Sequence, residues 1–272
     1  MASTEDKHRI ATIERYAAQA LPPLYQQAQQ GWLLRYNAGI TRRANAVFAD
    51  LVTPWPIETA QLEPHVRRVE TFYRRWGRPA YFQLAPNSQP DTLDAFLEQR
   101  GYGYEAGAQV HTARLEALLT TAQTQAIGLV VQMQETFSED WWRLYEAVEH
   151  PDGVGSSLRR LGLERLVRLG LREDRPQQVR FVSAYAAHVL LAVAVAVRQD
   201  AYVGLFNLAS HPQQRRRGAA RAIIGQIANW GKQAGASQCY LQVAPDNHQA
   251  LALYQRLGFS PCYSYHYRRQ TR

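Results

Sequence analysis

Two blocks of this chain repeat closely enough to dictate a duplicated fold. Tyr81-Phe82-Gln83-Leu84-Ala85-Pro86 matches Tyr240-Leu241-Gln242-Val243-Ala244-Pro245 at an offset of 159, and Phe96-Leu97-Glu98-Gln99-Arg100-Gly101-Tyr102 matches Leu253-Tyr254-Gln255-Arg256-Leu257-Gly258-Phe259 at an offset of 157. Trp76-Gly77 echoes Trp230-Gly231 in the same order. Self-similarity at a fixed spacing signals repeated supersecondary structure, and 272 residues suffice for two domains. The expected division is a first domain over 1–118, a linker over 119–127 and a second domain over 128–272.

The elements follow the same order in both halves. In the first, residues 8–30 read as a helix interrupted at Pro22-Pro23, then strands over 32–36 and 46–51, a helix over 64–76 with Val66, Val69, Phe72, Tyr73 and Trp76 on one side, a strand over 80–84 and a helix over 92–99 closed by Gly101. In the second, a strand over 128–133 precedes a helix capped by Ser138 and another over 158–171. Strands over 179–186, 189–197, 202–208 and 238–243 follow, with a last strand over 263–269. The fold class is α/β (α+β), each half a mixed, mostly antiparallel sheet flanked by helices.

One passage in the second half carries chemistry. The strand ending Leu208-Ala209-Ser210 runs into His211-Pro212-Gln213-Gln214-Arg215-Arg216-Arg217-Gly218-Ala219-Ala220, and then into a helix whose Ile223, Ile227, Trp230 and Ala234 share a face. A helix start exposes unpaired N–H groups at the positive end of the helix dipole, which favours an anion. Gly218 and Ala220 let the main chain approach closely, and Arg215, Arg216 and Arg217 add forked donors.

Arg215-x-x-Gly218-x-Ala220 after such a strand, with Asn247, Ala250, Leu253, Tyr254 and Leu257-Gly258-Phe259 some thirty residues later, resembles the GCN5-related N-acetyltransferase (GNAT) superfamily. The resemblance covers residues 190–268. It implies acetyl-CoA as co-substrate, held by Leu208, Ala209, Ser210, Arg215, Arg216, Arg217, Gly218, Ala219, Ala220, Asn247 and Tyr254. It also implies direct transfer of the acetyl group to an amine, with Tyr254 donating a proton to the departing thiolate. The oxyanion should face main-chain N–H groups where the strand splays near Leu208-Ala209-Ser210. Asn247 either contacts the pantetheine arm or caps its helix.

The first half lacks these features. Thr53-Pro54-Trp55-Pro56-Ile57-Glu58 stands where the basic glycine turn would be, and Leu97 takes the place of Tyr254. The resemblance therefore implies a tandem arrangement with a degenerate first copy.

The general base is open. The strand over 202–210 holds no carboxylate, leaving Glu135, Glu146, Glu149, His150, His211 or a water chain. Trp141, Trp142 and Tyr145 read as core or as the wall of an acceptor pocket, and Cys239 and Cys262 have neither metal spacing nor a nucleophile's partners.

The net charge of +8 is absorbed by the proposed phosphate turn, which argues against nucleic acid as partner. No uninterrupted apolar run is long enough to cross a membrane, and no metal is expected. A reducing cytoplasm, an amine acceptor that is a small molecule or a peptide, and a monomer or homodimer complete the expectation. A catalytically lapsed coenzyme A-binding sensor or scaffold is the alternative.

Overall fold

Ser3 opens the regular structure by capping α1 (Thr4–Gln19): its hydroxyl accepts from Asp6 N at 3.0 Å, while Asp6 Oδ2 accepts from Ser3 N at 3.3 Å. The computed structural model describes residues 3–49, 61–122, 128–172 and 177–271. In chain order the first copy continues with β1 (Tyr25–Gln29), β2 (Trp32–Tyr36), β3 (Val47–Phe48), α2 (Leu62–Arg74), β4 (Tyr81–Leu84), α3 (Leu93–Gln99) and β5 (Gly103–Arg114). The second copy comprises α4 (Leu115–Ala122), β6 (Leu129–Gln134), α5 (Glu139–Glu149), α6 (Ser156–Gly170), β7 (Gln178–Ala186), β8 (Val189–Gln199), β9 (Tyr202–Ser210), α7 (Ala219–Gln233), β10 (Gln238–Val243), α8 (His248–Leu257) and β11 (Ser260–Arg269).

These elements pack as two units, residues 1–109 with 263–272, and residues 110–262. The chain therefore changes unit inside β5 and again inside β11, whereas the sequence pointed to a division at 118 and 128. α4 occupies residues 119–122 of the expected linker, with Leu115 and Leu118 buried in the second unit's core; residues 123–127 lie outside the described residues.

In the first unit the strand order is β1-β2-β3-β4-β11-β5. β1 and β2 form an antiparallel hairpin, β3 runs parallel to β4, and β11 lies antiparallel to β4 from Arg269↔Tyr81 to His266↔Leu84. Trp32, Val66, Val69, Tyr73, Phe82 and Leu97 fill its core. Two expectations are corrected and one strand is added. After Pro22-Pro23 the chain forms strand β1 rather than more helix, because the proline pair breaks the pattern and β1 pairs with β2. Trp76 is 42% exposed rather than on the buried face, since α2 ends at Arg74 and the helical spacing no longer applies beyond it. β5, twelve residues long, was not anticipated at all.

In the second unit the order is β5-β10-β9-β8-β7-β6; the β6–β7, β7–β8 and β8–β9 pairs are antiparallel and β9–β10 is parallel. α7 lays Ile223, Ile224 and Ile227 into the same core as Ala192, Ala194, Ala196 and Leu241. The duplication survives in helix ends. Gly101 (φ 86°) and Gly258 (φ 98°) each take the left-handed conformation after α3 and α8, and the next residue donates back across the last turn: Tyr102 N to Leu97 O and Phe259 N to Tyr254 O, both at 3.0 Å.

The first unit also buries a carboxyl group. Glu14 accepts from Gln83 Nε2 and from the Tyr263 phenol, both at 2.6 Å, and burial pushes it up from 4.5 to about 7 despite those hydrogen bonds and the nearby Arg43 and Arg35. A raised carboxyl pKa means that the folded state holds the proton more tightly than the unfolded chain. This contribution to stability is full below 4.5 and is lost as pH rises through about 7. Denaturant melts of the wild-type chain should show that loss between pH 4.5 and pH 7, and Glu14→Gln should flatten it; equal slopes in both proteins would contradict the assignment.

Candidate active site

β9 is bent where the sequence places the oxyanion. Its pairing with β8 jumps from Val195↔Phe206 to Val193↔Ala209, so Asn207 and Leu208 together face one residue, and Asn207 adopts a left-handed φ of 51°. On its other side the parallel ladder with β10 runs from Gln238↔Tyr202 to Leu241↔Leu205, yet β9 continues to Ser210. Past Leu205 the ladder ends, and among the described residues the N–H groups of β9 on that side have no partner in β10. Ala209 is buried, with Leu208 and Ser210 half-buried at the opening.

The chain then turns sharply. His211 N donates to Leu191 O at 2.8 Å, and His211 Nδ1 accepts from Gln213 N at 3.3 Å, opening a short 3-10 turn over Pro212–Gln214. His211 is thus engaged in holding the turn. Arg216 (φ 63°) and Gly218 (φ 82°) are both left-handed. Glycine adopts that conformation freely, whereas for arginine it costs about 1–2 kcal/mol. Gly218 is the residue before α7, so the unpaired N–H groups of the first turn open beside it. Arg215, Arg216 and Arg217 are exposed, and none of them forms an ion pair among the described residues; Arg217 Nη1 donates to Gln214 Oε1 at 2.6 Å. Small residues, free amides and uncompensated guanidinium groups fit a diphosphate.

Tyr254 projects from α8, fixed by the Gly258 closure and by its ring lying edge-on to Phe259 at 5.7 Å. The ring is buried and its pKa is pushed up to about 12, first by burial and then by Glu149 and Cys239. Its hydroxyl has no hydrogen-bond partner among the described residues. Asn247 is exposed and caps α8, its Oδ1 accepting from Ala250 N at 3.1 Å.

The carboxylates separate by environment. Glu135 meets Arg180 at 3.1 Å. Glu146 is gripped by Arg159 at 2.7 and 3.1 Å, and the hydrogen bonds from Arg159 and Ser156 hold it below the usual range against the opposing effect of burial. Glu149, at the end of α5, keeps an exposed surface, but the protein packed around its carboxyl raises it and Arg215 partly offsets the rise. Its charge acts on Tyr254 and that of Arg215 acts on it, so it is within electrostatic reach of both the phenol and the basic turn. His150 is lowered, mainly by burial, and its Nε2 lies 3.5 Å from Tyr145 Oη.

Trp141, Trp142 and Tyr145 are core: all are buried, and Trp141 Nε1 donates to Val182 O at 3.2 Å. Cys239 is buried with its thiol pushed up to about 12, which leaves no useful thiolate. Sequence reasoning could not separate Glu149 from Glu146, three residues earlier on the same helix. Only the position of Arg159, thirteen residues beyond Glu146, distinguishes them.

No group of residues suited to a metal ion occurs among the described residues, and none of the described helices is long and apolar enough to cross a membrane. Residues 8–269 match the family described as "Probable histone acetyltransferase Rv0428c C-terminal". The chain is 30% identical over 259 residues to the uncharacterized N-acetyltransferase YobR of Bacillus subtilis, covering 95% of this chain and 98% of that one. Its fold is similar to that of a GCN5-related N-acetyltransferase from Kribbella flavida (TM-score 0.68, 14% identity, 97% and 96% of the two chains). It is also similar to that of a tandem GNAT protein from the clavulanic acid biosynthesis pathway (TM-score 0.63, 12% identity, 97% and 96%). With its duplicated helix ends, split strands and basic glycine turn, the chain belongs to this acetyltransferase family and is an N-acetyltransferase of the GNAT superfamily.

Proposed function

We propose that the second unit binds acetyl-CoA at the Arg215–Ala220 turn and passes its acetyl group directly to an amine held beside Glu149 and Tyr254. The observation that supports this reading is that Ala219 at the basic glycine turn, Leu208 of the bulged strand and Tyr254 belong to one packed cluster, with the phenol under the influence of Glu149.

When bound, acetyl-CoA supplies an activated thioester. The α7 amides and Arg215, Arg216 and Arg217 hold its diphosphate, and the N–H groups near Leu208, Ala209 and Ser210 stabilise negative charge at the carbonyl. Asn247, besides capping α8, presents its amide toward the pantetheine arm. Glu149 takes a proton from the acceptor's ammonium group, freeing the amine lone pair to attack the thioester carbonyl, a task favoured by a carboxyl that burial raises above its usual range. Tyr254 gives its phenolic proton to the sulfur. The first copy does not share this role: Leu97, fully buried, stands where the phenol would be, and its 53–58 segment lies outside the described residues.

The test is release of free thiol from acetyl-CoA in the presence of a panel of small amines and of peptides with free N-termini or lysines. The family description, naming a histone acetyltransferase, puts peptides first. Glu149→Gln should lower kcat by about 10- to 100-fold, toward the low end of general-base effects, and should remove the acid limb of the pH–rate profile. An unchanged acid limb would assign the base elsewhere.

A further inference from the structure

We infer that a second anion site lies in the first unit, between α2 and the edge strand β1, and that it takes a phosphate-bearing ligand of about mononucleotide size. The cleft holds about 300 Å³, at the small end of the range for ligand pockets. Arg67, Arg68 and Arg75 line it, and no carboxylate does so among the described residues. The three arginines fall at successive positions along one face of α2, with Arg75 at its C-terminal cap.

Two of the guanidinium groups are already oriented by their neighbours. Arg67 Nε is held by Glu63 Oε1 at 2.6 Å, and Arg68 Nη1 by Gln30 Oε1 at 3.1 Å, so the remaining nitrogens of each fork stay available. Glu63 also meets Arg100, which Glu70 already pairs at 2.9 Å through two nitrogens, so Glu63 offsets Arg67 and the cleft's uncompensated charge comes from Arg68 and Arg75. Arg75 forms no ion pair among the described residues.

The rest of the lining suits a phosphate ester better than a bare carboxylate. Gln27 and Gln29 stand two residues apart on β1 and so on one face of the strand, offering neutral donors and acceptors. Thr71 donates its hydroxyl proton to Arg67 O at 2.9 Å, leaving its oxygen to accept. Phe72 supplies an apolar wall. Arg68 and Arg75, with the remaining donors of Arg67, favour more than one negative charge in a small volume, and a phosphomonoester carries about −1.5 to −2 at neutral pH. Among the described residues β1 is an edge strand of its sheet.

The turn at Gly218 is a separate basic site, so calorimetry is done on the full-length chain both as wild type and with Gly218→Glu. Pyrophosphate, adenosine monophosphate, a single-stranded oligothymidylate and hexaglutamate serve as probes. Saturable binding of pyrophosphate and adenosine monophosphate is expected in the Gly218→Glu background. It should be weakened at least about tenfold by Arg68→Glu with Arg75→Glu, a loss near 1.4 kcal/mol. Arg68→Gln with Arg75→Gln should weaken it in the same direction, with an unchanged circular dichroism spectrum showing that the fold is intact.

Tighter binding of the oligothymidylate, falling steeply with salt, assigns the phosphate to a nucleic-acid backbone. Equal or tighter binding of adenosine monophosphate assigns it to a small metabolite, and either result supports the site. Failure to saturate at millimolar concentration, indifference to both arginine pairs, or binding of hexaglutamate as tight as that of pyrophosphate would overturn it.

Discussion

Replacing Gly218 with glutamate should abolish measurable acetyl-CoA binding while the chain stays folded. Three effects act in the same direction. At φ 82° a residue with a Cβ meets about 1–2 kcal/mol of left-handed strain. The carboxylate would sit at the opening of α7, where it caps the N–H groups that a diphosphate would otherwise receive. It would also pair with Arg215, Arg216 or Arg217, which have no ion-pair partner among the described residues. Together these amount to about 3–4 kcal/mol, or two to three orders of magnitude in affinity. Gly218→Ala isolates the strain and should cost about tenfold or less. Titration of acetyl-CoA into each variant separates the two; wild-type affinity in Gly218→Glu would remove the diphosphate from this turn.

Much of this arrangement was legible in the sequence because it depends on local rules. Gly101 and Gly258 announce helix ends, since only glycine takes the left-handed conformation there without strain, and the repeated block around each preserved the turn even where Tyr254 became Leu97. Ser138 was readable as a cap and does accept from Trp141 N, at 3.2 Å. What failed depended on partners distant in sequence. β1 looked helical because Tyr25-Gln26-Gln27-Ala28-Gln29 contains good helix formers, and it is a strand only because β2 offers a ladder. β5 is rich in glycine and alanine, a poor strand pattern, but Gly107 lies so close to Tyr265 that an added Cβ would meet its carbonyl oxygen at 2.1 Å. The final strand was expected, but not that Tyr263–Arg272 would join the unit of Glu14 and β4, because side-chain alternation fixes a strand's faces and not its neighbour.

Tyr254→Phe should lower turnover by about 100-fold or more, in the range of general-acid effects, with acetyl-CoA affinity nearly unchanged. The substitution removes one oxygen and keeps the ring, so the edge-on contact with Phe259 and the packing against Leu257 persist. Because the hydroxyl has no protein hydrogen-bond partner among the described residues, its loss leaves no buried group unsatisfied, and the melting temperature should not fall. The pH profile supplies a second criterion. With its pKa pushed up to about 12, the phenol stays protonated throughout the working range, so the wild-type rate should show no alkaline limb from this group. Glu149 contributes to that elevation, and in Glu149→Gln the phenol should titrate lower. A purely structural tyrosine would change stability and binding together and leave kcat largely intact. A proton donor changes kcat alone, and the loss should be smaller for thioesters whose leaving thiol is more acidic, because a better leaving group needs less help from the phenol. Equal losses across such a series, or an unimpaired Phe variant, would mean that the departing sulfur receives its proton from elsewhere.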